Sequence, residues 1–398
     1  MKYIRILIYS ILLVACQQSN NSDCNVDIIS IENSVRNDLS FLEKIEIIPL
    51  ETSSNSLIKN IKKMKYIKEL DSYLILDTRQ IVFLFDKNGD LKFSSYGKRG
   101  NGAEEYLMAV DVEYNPYMKS IDLLDPSGVG MVNMYDTLCH WKERITLNQV
   151  GETYSMMMLF SDEFYAFAPV FYSDATSRYI CLYNWKNKPY DIQKIYYQNY
   201  IANIHMINSS LFKLKAGNYF TPPCLDYTFY KIDMQEHRLI PAIKFDFGEK
   251  NVTKEMLDDR FGSVLEKSDK QSIIDANNKI IMEKNNFLLS SDYPIPVVRL
   301  LNDDFVYAYI ITNKKPSSFI YNRIDGKGYL ITDDFFKIPF GSWLEGNVLY
   351  SFISPCDIEQ YINKEYMSAE TIMKIKKMKE DDNPVILKYY LKNENRYY

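Results

Sequence analysis

Tyr73-Leu74-Ile75-Leu76-Asp77, then Ile81-Val82-Phe83-Leu84-Phe85-Asp86, are two short apolar runs that each end on an aspartate. The pair returns as Ile121-Asp122-Leu123-Leu124-Asp125, then Val132-Asn133-Met134-Tyr135-Asp136. Asp77 to Asp125 is 125 − 77 = 48 residues, and Asp86 to Asp136 is 136 − 86 = 50. Short strands repeating at this period mark a radial β array, whose units bury their cores against one another. A chain of 398 residues can then be one domain, because repeat folds escape the usual size limit. The 33 Tyr and 21 Phe suit pleated surfaces.

Working outward, residues 61–70 and 91–96 complete a first four-stranded blade, with Asn88-Gly89 as its hairpin turn. The second adds 109–114 and 144–147 to the repeated pair. A degenerate third holds 164–167 and 179–184. The fourth holds 219–221, 229–233 and 240–247; the fifth holds 296–301, 305–310 and 319–322. The sixth holds 336–340, 348–353 and 385–391. Two stretches break the period and read as helical insertions, at about 253–289 and 357–380. Ser268 with Gln271 forms a capping box inside the first. Blade six lacks a fourth strand, and the orphan run 45–50 supplies it. The expected fold is all-β: a six-bladed β-propeller closed by sharing one blade between N- and C-terminal strands, with two helical insertions.

The N-terminus reads as a processing signal. Lys2 and Arg5 precede a short apolar run, 6–14, too short to span a bilayer. Leu13-Val14-Ala15-Cys16 resembles a bacterial lipobox, which implies cleavage before Cys16 and its lipidation; the alternative is an ordinary secretory signal with a chance cysteine. The expected division is a signal peptide at 1–15, a lipid-anchored tether at 16–40 and the propeller at 41–398. The expected address is the cell envelope, at the outer membrane facing the periplasm, with surface exposure left open and membrane contact through the anchor only. Five further cysteines are scattered without a Cys-x-x-Cys pair, so a zinc site is not expected; buried free thiols are the plain reading, with one disulfide the alternative in an oxidising compartment. A net charge of −5 argues against nucleic acid as a partner.

Ile48-Pro49-Leu50-Glu51-Thr52, the paired Asp-ended strands and Gly97-Lys98-Arg99-Gly100-Asn101-Gly102-Ala103-Glu104-Glu105-Tyr106 resemble the six-bladed, NHL-like β-propeller lipoproteins of Bacteroidetes. That family's loop runs roughly Gly-x-Gly-Pro-Gly-Glu-Tyr. This chain keeps Gly100, Gly102, Glu105 and Tyr106 but carries Ala103 for Pro and Glu104 for Gly. The resemblance implies the fold and lipoprotein status rather than an activity.

In a propeller, blade-to-blade loops and second-to-third-strand loops open on one face. Residues 97–106, 78–80, 313–317 and both insertions all belong to that face, which is the expected binding surface. The candidate ligand contacts are Arg79, Arg99, Asn101, Glu104, Glu105 and Tyr106. For Glu105 and Tyr106 the structural alternative is that one caps loop amides and the other packs between blades. Asp77 and Asp125, at equivalent strand ends, are expected to accept backbone hydrogen bonds. The three histidines, His140, His205 and His237, share no blade spacing or catalytic setting, so no catalytic residue is assigned. No metal or cofactor is expected. The functional expectation is a binding module for a glycan, a peptide or an envelope protein. The competing class is a lyase or a metal-dependent, lactonase-like enzyme working at the central channel. Only Asp111 and Glu113 on the innermost strands would serve it.

Overall fold

The computed structural model describes residues 26–147, 154–168, 178–186, 192–197, 200–204, 210–264 and 271–393. Cys16, the signal peptide, the capping Ser268 and His205 lie outside them. Six antiparallel sheets form the ring. Their inner strands are Ile61–Ile67, Asp111–Asn115, Met156–Leu159, Leu211–Leu214, Ile295–Leu301 and Trp343–Glu345. Blades one to five run on consecutively from these. Blade six takes Val348–Ile353, Val385–Leu391 and, as its outer strand, Leu42–Pro49 from the other end of the chain. The six-bladed propeller and its shared closing blade are as expected.

Burial explains why the middle strands carry the legible signal. Every residue of Ser72–Asp77 and of Ser120–Asp125 is buried, because a neighbouring blade covers each face. Such strands read as continuous apolar runs. The outer strand Arg238–Asp246 is covered on one face only and mixes exposed with buried positions. Gly89 (φ +92°) is required at its turn, since a Cβ there would meet the Pro49 carbonyl oxygen at 2.1 Å.

Three expectations are corrected. Residues 27–40 are not tether. Asp27–Ser30 pairs in parallel with the outer strand of blade four, and Val35–Arg36 pairs in parallel with that of blade five. Their backbones satisfy otherwise open sheet edges, which short polar sequence does not announce. Residues 336–340 are not the inner strand of blade six. The segment packs on blade five, where the Tyr307 hydroxyl donates to Pro339 O at 3.4 Å. Trp343–Glu345 takes the inner position instead. Lastly, 313–317 is no elaborated loop: Asn313 and Lys314, at φ 49° and 61°, make a two-residue turn.

The insertions are helical. α1 (Lys254–Phe261) is capped by Thr253 Oγ1, which accepts from Met256 N at 3.1 Å. α2 (Gln271–Ser290) packs back toward the sheet through buried Leu288. The second insertion has two 3-10 turns and α3 (Ala369–Lys377), capped by Ser368.

One carboxyl is locked between blades two and three. Asp122 is fully buried; the Tyr165 hydroxyl donates to it while accepting from Asn115 Nδ2 at 2.9 Å, and Ser120 Oγ donates to it at 2.6 Å. Burial pushes its pKa up to about 7, against those hydrogen bonds. The native state therefore holds a proton that the unfolded chain releases near pH 3.9, so stability falls as pH rises from about 4 through 7. The expected loss is a few kcal/mol, roughly three pK units' worth. Urea unfolding at pH 4.5 and pH 8 measures it, and Asp122→Asn should shrink the difference by that amount. An unchanged difference in the variant would show that Asp122 is not its source.

Candidate functional site

The charges of the central channel are paired across blades at the repeat period. Lys63 on blade one bonds Asp111 on blade two, and Lys65 Nζ lies 2.8 Å from Glu113, both 48 residues on. Asp111 reaches further, accepting Met157 N of blade three at 2.7 Å. One carboxylate thus ties three inner strands. Burial lowers the Lys63 ammonium to about 8, although Asp111 opposes the shift. Glu113 also accepts its neighbour's amide, Tyr114 N, at 3.1 Å.

Two cavities follow from this frame. The first, about 280 Å³, is a funnel bordered by inner-strand residues of all six blades, from Lys65 to Glu69 round to Trp343–Glu345. It lies toward the C-terminal ends of those strands and so opens on the face opposite the insertions. The second, about 600 Å³, lies on the loop-rich face between blades four and five. Its walls are the returning N-terminal segment (Ile31, Glu32, Arg36), the ends of the first insertion (Lys250, Asp292), the Asn313 turn with the strand start after it (Lys315 to Ser317) and the end of blade five (Thr332 to Asp334). Asp333 is its most constrained group. Its Oδ1 is buried without a well-aligned donor, and burial raises its pKa, with Lys337 and the Tyr309 hydroxyl opposing.

The loop-rich face is also pinned near blade four. Residues 221–227 are buried throughout, and the fully buried Arg299 of blade five donates to the carbonyls of Pro222, Cys224 and Asp226.

Residues 26–390 match the family DUF4934, described as a domain of unknown function. The chain belongs to the DUF4934 family. No curated protein matches it. Among solved structures, a Bacteroides fragilis protein taken to be exported superposes with a TM-score of 0.69 at 16% identity, covering 92% of this chain and 100% of its own. The WD40 repeats of RRP9 give 0.40 at 11% identity, over 88% and 98%. The propeller of Cps50 (Swd1) from Myceliophteria thermophila gives 0.35 at 10%, over 70% and 87%.

In this DUF4934 propeller the six sequence-derived candidates gather in a knot between blades one and two, away from both cavities. Glu105 accepts Gly102 N at 2.8 Å and fills the space where a Cβ on Gly100 would sit, at 2.1 Å. A side chain at either position would push Glu105 out of this place. Tyr106 is buried, its hydroxyl 2.6 Å from Ser95 Oγ and 2.9 Å from Gln80 O. Arg79 Nε bonds Asp77 at 2.7 Å, and Arg99 Nε bonds Leu107 O at 2.9 Å. Asn101 and Glu104 are exposed. Asp77 accepts Arg79 N and Ile81 N at 2.8 and 3.0 Å; Asp125 accepts Leu107 N and Ser127 N at 2.8 and 2.9 Å.

The lactonase-like alternative implies a divalent cation at the channel. The donors do not fit it: Asp111 and Glu113 each already hold a lysine, and among the described residues no three His, Cys, Asp or Glu are grouped to hold a metal. The described cysteines, Cys139, Cys181, Cys224 and Cys356, are free thiols.

Sequence reasoning noticed the lysine-rich strand and the two carboxylates separately. Applying the 48-residue period to them would have paired them. The loop-face cavity left no such trace, since it needs the folded-back N-terminus.

The ladder can be tested by a double-mutant cycle. Asp111→Asn should cost roughly 2–4 kcal/mol, because it leaves the partly buried Lys63 charge unpaired and weakens the bond to Met157 N. Lys63→Met should then cost less in that background than alone. Additive losses in urea unfolding would mean the two groups are energetically independent.

Proposed function

We propose that this chain is an envelope-anchored binding module whose ligand occupies the cavity between blades four and five. The observation that carries the reading is the cavity's lining. Acidic Glu32, Asp292, Asp333 and Asp334 and basic Arg36, Lys250 and Lys315 surround an apolar floor with Ile310 and Leu330. Apart from the Tyr309 hydroxyl the Asp333 carboxyl has no strong donor, and its buried Oδ1 is left open, so it suits a ligand ammonium or amide. Groups of both signs match a short peptide, with its ammonium at the aspartates and its carboxylate at the basic side chains; a glycan is the second ligand class. The partner is a free peptide or an exposed segment of an envelope protein.

Anchoring rests on Cys16 and the signal at 1–15, with the outer membrane facing the periplasm as the proposed address. The export ascribed to the Bacteroides fragilis fold neighbour supports secretion. No helix among the described residues is long and apolar enough to cross a membrane. The binding face is the loop-rich one, as the loop pattern implies, but its centre lies at blades four and five rather than at Arg99 and Glu105.

Titration calorimetry with short peptides of free and blocked termini tests this. Free-ended peptides should bind, and Asp333→Asn should weaken them about tenfold, the scale of one hydrogen bond to a charged group. Equal affinity in native and Asp333→Asn chains would sink the reading, and preference for neutral oligosaccharides would move it to a glycan.

A further inference from the structure

We propose that the central funnel, on the face opposite the insertions, is a second binding site and takes a single neutral sugar ring. This stands independently of the loop-face cavity, which shares none of its lining. Four observations converge on it.

The first is size. At about 280 Å³ the funnel sits just below the range of drug-sized pockets and suits one ring with its substituents. The second is charge. Lys65, Lys68 and Lys213 stand against Glu69, Glu113 and Glu345, three of each sign, so the lining has no net charge to recruit an ion. The third is the apolar surface. Trp343 is half-buried and packs on the cluster that holds Met64, Tyr66 and Tyr350, while Leu300 and Phe212 border the funnel elsewhere. An aromatic face beside apolar walls accepts the C–H face of a pyranose, while polar tips fix its orientation.

The fourth is a preorganised hydrogen-bonding pair. Lys65 is almost wholly buried, held 2.8 Å from Glu113 and 5.5 Å from the centre of the Trp343 ring. An ammonium has three donors and a carboxylate about four acceptor sites. Among the described residues the Lys65 ammonium makes one hydrogen bond, to Glu113, which also accepts Tyr114 N. The pair therefore offers a donor and an acceptor side by side, already ordered. Two adjacent hydroxyls of a sugar match that arrangement, one accepting from Lys65 and one donating to Glu113. Glu345, beside Trp343, supplies a further acceptor; burial raises its pKa, with Lys68 and the Trp343 indole opposing and Glu69 and Asp303 adding to the rise. A donating hydroxyl stabilises such a carboxylate further.

The test is titration of the purified chain with the methyl glycosides of glucose, galactose and mannose, with glucuronate and glucosamine as charged counterparts. Calorimetry gives affinity, and intrinsic fluorescence reports on Trp343, one of three tryptophans. At least one neutral glycoside should bind saturably with a fluorescence change. Glu345→Gln and Trp343→Ala should each weaken it about tenfold, whereas Asp333→Asn on the other face should leave it unchanged. If Trp343→Ala does not fold, Trp343→Phe keeps a ring and should retain most of the affinity. The proposal is overturned if no neutral glycoside binds, if a charged counterpart binds more tightly, or if Glu345→Gln has no effect. Crystals soaked with the bound glycoside should place it in the funnel, and density elsewhere would equally overturn it.

Discussion

The pairing of Leu42–Pro49 with Val385–Leu391 holds the rest together. A propeller is a bent sheet array with two loose ends, and each end would expose unpaired N–H and C=O groups if the ring stayed open. Here one strand from the beginning of the chain completes a blade made at its end. The register runs from Val385 opposite Pro49 to Leu391 opposite Leu42. Closure sets the spacing of all six inner strands, and hence the width of the funnel they share.

The same constraint builds the second cavity. To reach blade six as an outer strand, the N-terminal segment travels round the rim of the ring. On the way it adds a parallel strand to blades four and five. Ile31, Glu32 and Arg36, on that path, become a wall of the loop-face cavity. Glu32 packs so closely on Gly248 (φ +61°) that a Cβ there would lie 2.3 Å from its carboxylate. Ring closure and the proposed ligand site are thus parts of one chain path.

Between blades, polar contacts do two kinds of work. At the channel, Lys63–Asp111 and Lys65–Glu113 neutralise each other, so the innermost carboxylates serve register first. At the loop-rich face, aspartates at the ends of second strands gather backbone amides from the following turn and from the connection before the inner strand. Asp77 accepts Lys59 N at 3.5 Å, and Asp125 accepts Leu107 N at 2.8 Å, from positions again 107 − 59 = 48 residues apart. The Gly97–Tyr106 loop belongs to this second kind. Its glycines make room for Glu105, and Tyr106 bolts the loop to Ser95 and Gln80. A motif that reads as a ligand cradle is here largely occupied by its own side chains.

The sequence by itself determined the strands, their count and the ring they form. Middle strands such as Ser72–Asp77 are buried on both faces, and that burial writes an unbroken apolar run that recurs at a constant period. It also contained the cross-blade ion pairs, because equivalent positions of neighbouring blades differ by the same 48 residues. Only the tertiary structure decided where the cavities lie. Asp333, Arg36 and Lys250 meet through packing between segments with no common period, and Trp343–Glu345 takes the inner position of blade six because 336–340 packs on blade five. A local pattern records what each residue faces within its blade. A site at a blade boundary depends on distances between blades, which the pattern does not carry.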